Sequence, residues 1–221
     1  MVVNAEQQKE VLNQSGLEML NLCRSQITKA KEAFINLDSD LAEEVIHTEN
    51  RVNALDLKIE KDCERFLALY NPVAIDLRFI MAILKINFDL ERIADHAEGI
   101  SHYVIEEDNK IAPHLLEAVQ FEFMFETINA MFDDITTAYE ENDVKSARKV
   151  FKKDKILDKI NTKSFSILST EIKKDTTLIK QALVLFSVIK KMERVGDLLK
   201  NIGEEIIFYR EAQIVKHKKK K

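Results

Sequence analysis

The amino-acid sequence predicts an all-α protein of six long helices, arranged as two tandem three-helix bundles. Glycine and proline are scarce, at 4 and 2 of 221 residues, whereas β-sandwiches and barrels need many turns rich in both. Apolar residues recur at spacings of three and four along most of the chain, as they do on one face of a helix. In addition, the second half of the chain resembles the first. Together these observations predict a duplicated helical bundle.

The first half contains three predicted helices. In the first helix apolar residues recur from Leu17 to Leu37, and Asp38-Ser39-Asp40 then supplies candidate N-caps for the second helix. The second helix carries an uninterrupted heptad pattern from Leu41 to Leu69. Asn71-Pro72 is typical of an N-cap followed by proline at the first helical position, so the third helix is expected over about 72–107.

The second half contains three more predicted helices, over about 113–140, 143–172 and 176–212. The chain then divides into a first repeat at 1–110, a second repeat at 111–214 and a basic tail at 215–221, which is expected to be disordered. Each repeat is long enough to form an antiparallel three-helix bundle. Gly196 and Gly203, one heptad apart in the sixth helix, predict the close approach of another helix.

The two repeats match at two places. Glu91-Arg92-Ile93-Ala94-Asp95 matches Glu193-Arg194-Val195-Gly196-Asp197 at an offset of 102 residues. Upstream, Glu49 and Asn53 match Asp154 and Asp158 at an offset of 105 residues. A shorter loop in the second repeat, which has no counterpart of Asn71-Pro72, explains the difference of three.

Acidic side chains lie beside the apolar face of these helices. Glu49, Asn53 and Asp56 follow one another at spacings of four and three, and Glu91 and Asp95 are four residues apart. Since side chains at i and i+4 lie on one helical face, each such group presents several oxygen ligands together. The candidate metal ligands are Glu49, Asn53, Asp56, Glu91 and Asp95 in the first repeat, and Asp154, Asp158, Glu193 and Asp197 in the second.

A cation would stabilise these groups. Like charges at i and i+4 destabilise a helix, and two such helices brought together would add carboxylate repulsion. A multivalent cation between the oxygens would offset both costs, but oxygen ligands alone do not choose among Mg²⁺, Ca²⁺ and Mn²⁺. The alternative is a solvated face with ion pairs to Arg51, Arg92, Lys155 and Arg194.

Charge and cysteine content indicate the cellular setting. The net charge is −5, but five lysines in the last six residues contribute +5, so residues 1–215 carry −10. This charge disfavours nucleic-acid binding and favours cations or basic partner surfaces. Cys23 and Cys63 lie among apolar positions and are expected to be buried free thiols. Since the sequence shows neither a signal peptide nor a membrane span, a cytoplasmic protein is expected.

The duplicated E-R-hydrophobic-small-D motif, together with the acids upstream of it, resembles the PhoU family over about residues 15–212. The resemblance implies a cytoplasmic, homodimeric protein of two three-helix bundles. It further implies a negative regulator of phosphate uptake that acts on the phosphate ABC transporter and the phosphate-sensing histidine kinase. Some family members bind multinuclear iron or zinc clusters at these acidic motifs. Asn53 departs from the pattern, because an aspartate there would match Asp158.

Two other functions are considered beside this one. A metal-free helical adaptor would use the same polar surface to bind partner proteins. A ferritin-like carboxylate metal protein needs two E-x-x-H motifs, whereas this chain has one, formed by Glu44 and His47. No cysteine or serine lies in a recognisable nucleophile motif. We therefore expect a protein that is not an enzyme.

Overall fold

The computed structural model describes residues 4–212 and confirms the all-α prediction, because this range contains helices and no strand. Six helices are long, as predicted, and a short one of 6 residues is additional. The predicted basic tail lies outside the described residues. The helices are α1 (Ala5–Asn36), α2 (Ser39–Tyr70), α3 (Ala74–Glu106), α4 (Pro113–Ala118), α5 (Phe121–Glu140), α6 (Val144–Lys174) and α7 (Ile179–Glu211), with a 3-10 turn (Thr176–Leu178) before α7.

Aspartate side chains cap the starts of α2 and α6, and the cap of α2 lies within the predicted Asp38-Ser39-Asp40. The Asp38 carboxylate accepts a hydrogen bond from the Leu41 N–H group at 3.0 Å. The Asp143 carboxylate likewise accepts from the N–H groups of Lys145 and Ser146. Because the first N–H groups of a helix have no partner within it, these side-chain oxygens stabilise both helix starts.

The turn between α2 and α3 differs from the prediction. Asn71 ends α2 in the left-handed conformation, with φ 44°, instead of capping α3, which begins at Ala74. Asparagine adopts this conformation more readily than most residues, so it closes the preceding helix. Pro72 then lies between the two helices, where its missing N–H group leaves no helical hydrogen bond unmade.

The predicted fourth helix is interrupted. α4 ends at Ala118 and α5 begins at Phe121, and Gln120 between them is left-handed, with φ 57°. Apolar periodicity does not reveal this break, because Val119 and Phe121 are both buried. The second repeat therefore starts with a short helix that packs against α5.

Helices α3 and α7 join the repeats. α1, α2 and α3 form one bundle, while α5, α6 and α7 form the other. α3 and α7 run antiparallel: the rings of Phe79 and Tyr209 are 5.4 Å apart near one end, and Lys191 lies over the Tyr103 ring near the other. Buried apolar side chains from all seven helices form one continuous core. Within residues 4–212, no helix combines the length and apolar character that crossing a membrane requires.

Candidate functional site: two acidic clusters

The acidic faces of α2 and α3 meet, as predicted. Glu49 on α2 lies close enough to Glu91 and Asp95 on α3 for their charges to act on its carboxyl group. Further along α2, the Asp56 carboxylate accepts a hydrogen bond from the Asn87 side-chain amide at 2.6 Å. We define the first acidic cluster as Glu49, Asp56, Glu60, Glu91, Asp95 and Glu98.

Glu49 is the buried member of the first acidic cluster, with 7% of its surface exposed. Burial, followed by the charges of nearby carboxylates on α3, raises the pKa of its carboxyl group to about 7. Its Oε1 atom has no hydrogen-bond partner among the described residues. A buried carboxylate without a donor is costly, because the charge loses its hydration and gains nothing in return. The negative charge of Glu49 is therefore uncompensated.

The other carboxylates of this cluster are affected in the same direction. Burial raises the pKa of Asp56, Glu91 and Asp95, and neighbouring carboxylates raise each of them further. For Asp95 the positive charges of Arg92 and Lys191 act in the opposite direction but do not reverse the shift. Asp95 is exposed and Asp56 and Glu91 are half-buried, so water reaches these three carboxylates. Closely spaced carboxylate oxygens are the ligands that hard cations bind.

A second cluster lies at the equivalent place between α6 and α7. Asp154 is buried, and the charges of Asp158 and Asp197 act on its carboxyl group. The Glu193 carboxylate accepts a hydrogen bond from the Asn161 side chain. We define the second acidic cluster as Asp154, Asp158, Glu193 and Asp197.

Lys200, which is not among the predicted site residues, lies inside the second acidic cluster. Its Nζ atom is 2.9 Å from Oδ2 of Asp154 and 2.7 Å from Oδ1 of Asp197. Burial lowers the pKa of Lys200, but its hydrogen bonds to the two carboxylates outweigh burial and raise that pKa overall. The contact with Asp197 is predictable from the sequence, because Lys200 follows Asp197 by three residues and so lies on the same helical face.

Three of the predicted ligands are exposed: Asn53 on α2, Asp95 on α3 and Asp158 on α6. Asn53 is the one predicted ligand that belongs to neither cluster. Arg51, considered as an ion-pair partner of the acids, instead contacts Glu18 on α1 at 2.8 Å. Arg194 lies 3.4 Å from Asp197, so the ion-pair interpretation applies to part of the second acidic cluster. Cys23 and Cys63 are buried free thiols, as predicted.

Neither acidic cluster is a preformed metal site. Among residues 4–212, no three or more histidine, cysteine, aspartate or glutamate side chains form a group that could hold a metal ion as they stand. The first acidic cluster nevertheless fits a cation chemically, because Glu49 is buried there without a donor. In the second acidic cluster, Lys200 already places a positive charge between two carboxylates. Metal binding stays a prediction for both.

The family model described as the PhoU domain matches the chain twice, over residues 17–104 and 121–206. The chain belongs to the PhoU family. The resemblance drawn from the duplicated motif is thus confirmed, and both acidic clusters lie within the matched segments.

Relatives of this PhoU-family protein match along most of its length. The phosphate-specific transport system accessory protein PhoU homolog of Aquifex aeolicus is 35% identical over 91% of this chain and 90% of its own. The corresponding PhoU of Escherichia coli is 31% identical over 91% of this chain and 83% of its own. Both repeats are included in these alignments.

Solved PhoU structures share the helical architecture. The crystal structure of PhoU from Pseudomonas aeruginosa matches with a TM-score of 0.88 and 28% identity, covering 95% of this chain and 100% of that one. That of the phosphate transport system regulatory protein PhoU from Streptococcus pneumoniae matches with a TM-score of 0.81 and 26% identity, covering 96% and 99%. The arrangement of helices is therefore a family property.

Proposed function

We propose that this protein is a cytoplasmic, homodimeric negative regulator of phosphate uptake, acting on a phosphate ABC transporter and on phosphate-starvation signalling through a histidine kinase. One observation carries the proposal: similarity to accessory proteins of phosphate-specific transport extends over about nine-tenths of the chain and includes both repeats. A regulator of this kind acts by binding other proteins rather than by catalysis.

Deletion of the gene in its own host tests the regulatory function. With phosphate in excess, the deletion strain should express alkaline phosphatase and take up labelled phosphate faster than its parent, and the intact gene supplied in trans should restore repression. Normal repression in the deletion strain would contradict a negative regulator of phosphate uptake.

We further propose that the first acidic cluster holds a divalent cation, with iron and zinc as the metals that the family resemblance favours. The buried, donor-less Oε1 atom of Glu49 supports this, together with the facing carboxylates of Glu91 and Asp95. A bound cation would neutralise these charges and fix α2 against α3. The exposed surface of α2 and α3 near the cluster would then be held in a single conformation, which partner proteins could bind.

Elemental analysis tests the cation proposal. The protein should be purified without affinity resin or added metal, and its metal content compared with that of Glu49→Gln/Glu91→Gln. Loss of metal in this variant would support the first acidic cluster as the site. Glu43→Gln, at an exposed position of α2, is the matched control and should keep its metal. Equal content in all three proteins would contradict the proposal.

A metal-free adaptor is the second candidate, and a duplicated apolar surface favours it. Leu77 and Met81 on α3 are 41% exposed each, and their equivalents on α7, Ile179 and Leu183, are 45% and 59% exposed. In each repeat the two side chains are four residues apart on one helical face, and exposed apolar patches often bind partner proteins. We take their occupants to be proteins of the phosphate transport system.

Polar substitution tests this surface. Met81→Glu/Leu183→Glu should abolish repression of alkaline phosphatase without lowering the melting temperature, because both side chains are exposed. Leu57→Glu is the control, since Leu57 is 51% exposed on α2 outside the duplicated surface. Full repression by the double variant would show that these residues bind no partner. Repression lost here but retained in Glu49→Gln/Glu91→Gln would favour the metal-free adaptor.

A further inference from the structure

The two acidic clusters differ at one equivalent position. When the repeats are aligned at the E-R-hydrophobic-small-D motif, Glu91 and Asp95 correspond to Glu193 and Asp197. The next residue on the same face is Glu98 in the first repeat and Lys200 in the second, three positions after the motif aspartate in each. One negative charge is therefore exchanged for one positive charge.

This exchange gives Glu49 and Asp154 different charged neighbours. Both are buried near other carboxylates, but within the part of the chain that the structure describes only Asp154 has a cation beside it. Glu49 is acted on by the negative charge of Glu98, and its Oε1 atom has no hydrogen-bond partner among the described residues. Asp154, equally buried, accepts a charge-assisted hydrogen bond from Lys200 at 2.9 Å. Because charge-assisted hydrogen bonds are the stronger ones, the second acidic cluster is stabilised without any added ion.

The position of the ammonium group is also informative. Lys200 Nζ contacts Asp154 on α6 and Asp197 on α7 at 2.9 and 2.7 Å, so it bridges the two helices between which a metal ion would lie. A divalent cation placed there would have to break both contacts and would also be repelled by the displaced ammonium. The lysine and the metal therefore compete for the same two carboxylates.

We infer that Lys200 closes the second acidic cluster to divalent cations, acting as a covalently attached counter-ion, so that cation binding is confined to the first acidic cluster. This rests on the proposed cation site only for its statement about the first repeat. The second repeat then has a fixed α6–α7 contact that does not respond to metal supply, whereas the α2–α3 contact does.

Manganese titration of the full chain tests this inference. After treatment with EDTA and dialysis, the protein is titrated with MnCl₂, and free Mn²⁺ is measured from its electron paramagnetic resonance signal. Lys200→Gln and Lys200→Glu should each bind more Mn²⁺ than the wild type, with the added sites about tenfold or more tighter than any wild-type binding there. Adding Asp197→Asn to Lys200→Gln should remove the gain. Lys190→Gln, at an exposed position of α7, is the matched control and should bind as the wild type does.

A second variant decides the matter even where replacement of Lys200 prevents folding. Asp158→Asn/Glu193→Gln removes two acids of the second acidic cluster but keeps both carboxylates that contact Lys200. Mn²⁺ binding equal to that of the wild type would support the inference, and reduced binding would overturn it. An unchanged Mn²⁺ count in folded Lys200→Gln would also overturn it. A gain in Lys200→Gln while the wild type binds none would leave the inference standing and refute the proposed site in the first repeat.

Discussion

Glu49 is a buried carboxylate whose titration should contribute to the pH dependence of stability. In metal-free protein its pKa is about 7 in the folded state, against an ordinary value of 4.5. Between these values the folded state binds more protons than the unfolded state, so the free energy of unfolding falls as pH rises. Above pH 7 the whole destabilisation is present, on the order of 1–3 kcal/mol.

Glu49→Gln should therefore stabilise the metal-free protein at high pH. We expect its free energy of unfolding to exceed that of the wild type by about 1–3 kcal/mol at pH 8 and by much less at pH 5, because the neutral amide carries no charge to bury. Urea unfolding in EDTA at both pH values measures the difference. The exposed variant Glu43→Gln should show none, and a gain independent of pH would contradict an uncompensated charge at Glu49.

At the level of single residues, helical spacing was enough to predict which acids share a face, but not which base reaches them. Glu49, Glu91 and Asp95 follow from spacings of four and from the repeat. Lys200 is not predicted as part of the site, because a lysine beside an acidic pair is usually exposed to solvent. Its contact with Asp154 depends on how closely α6 and α7 pack. Arg51 instead forms an ion pair with Glu18 on α1, a contact that depends on how α1 and α2 pack.

The α6–α7 pair packs closely because α7 has glycine where the helices meet, as the sequence predicted. A Cβ atom added at Gly203 would lie 2.9 Å from Cγ2 of Val150 and 3.2 Å from the carbonyl oxygen of Ala147. The Ala147 oxygen belongs to the backbone and cannot change rotamer to avoid the added atom. The Val150 side chain is β-branched and has little rotameric freedom. At Gly99 on α3 an added Cβ would instead meet Nζ of Lys191 at 2.5 Å, the far end of a flexible side chain.

Alanine substitutions at these two glycines should have opposite effects. Gly203→Ala should lower the free energy of unfolding by about 1–2 kcal/mol, since the clash outweighs the gain in helix propensity. Gly99→Ala should raise it by about 0.5–1 kcal/mol, because the Lys191 ammonium group can move away. Urea unfolding of both variants measures this. Stabilisation by Gly203→Ala would show that α6 and α7 can separate without loss.

Helix ends were predictable where a side chain caps them and not where the backbone turns alone. Asp38 is one of the predicted candidate N-caps, and Asp143 lies at the predicted start of its helix; in both, the carboxylate satisfies free N–H groups of the first turn. Gln120 gave no such signal, since glutamine has no particular preference for positive φ. Asn71 gave a signal that fits either a helix start or a helix end.

At the scale of the whole molecule, the two repeats share their interior. Ala82 and Ile86 of α3 lie at one joint with Ile206 and Tyr209 of α7, and the apolar core is continuous through it. The sequence predicted two bundles but not this joint, because buried apolar residues cover more than one face of α3 near Ile86 and do not indicate which face meets the other repeat. Each repeat thus completes the core of the other.

Because the core is shared, the repeats should unfold together. An ion pair at the joint tests this: Lys85 Nζ lies 3.0 Å from Oε2 of Glu205, whose side chain is only 5% exposed. Lys85→Gln should lower the free energy of unfolding by about 1–2 kcal/mol, since a nearly buried carboxylate loses a charged donor.

Hydrogen exchange in rising urea should show α2 and α6 amides losing protection at one urea concentration, which should be lower in the variant than in the wild type. Lys61→Gln, at an exposed position of α2, should leave that concentration unchanged. Separate transitions for α2 and α6 would show instead that each bundle folds independently.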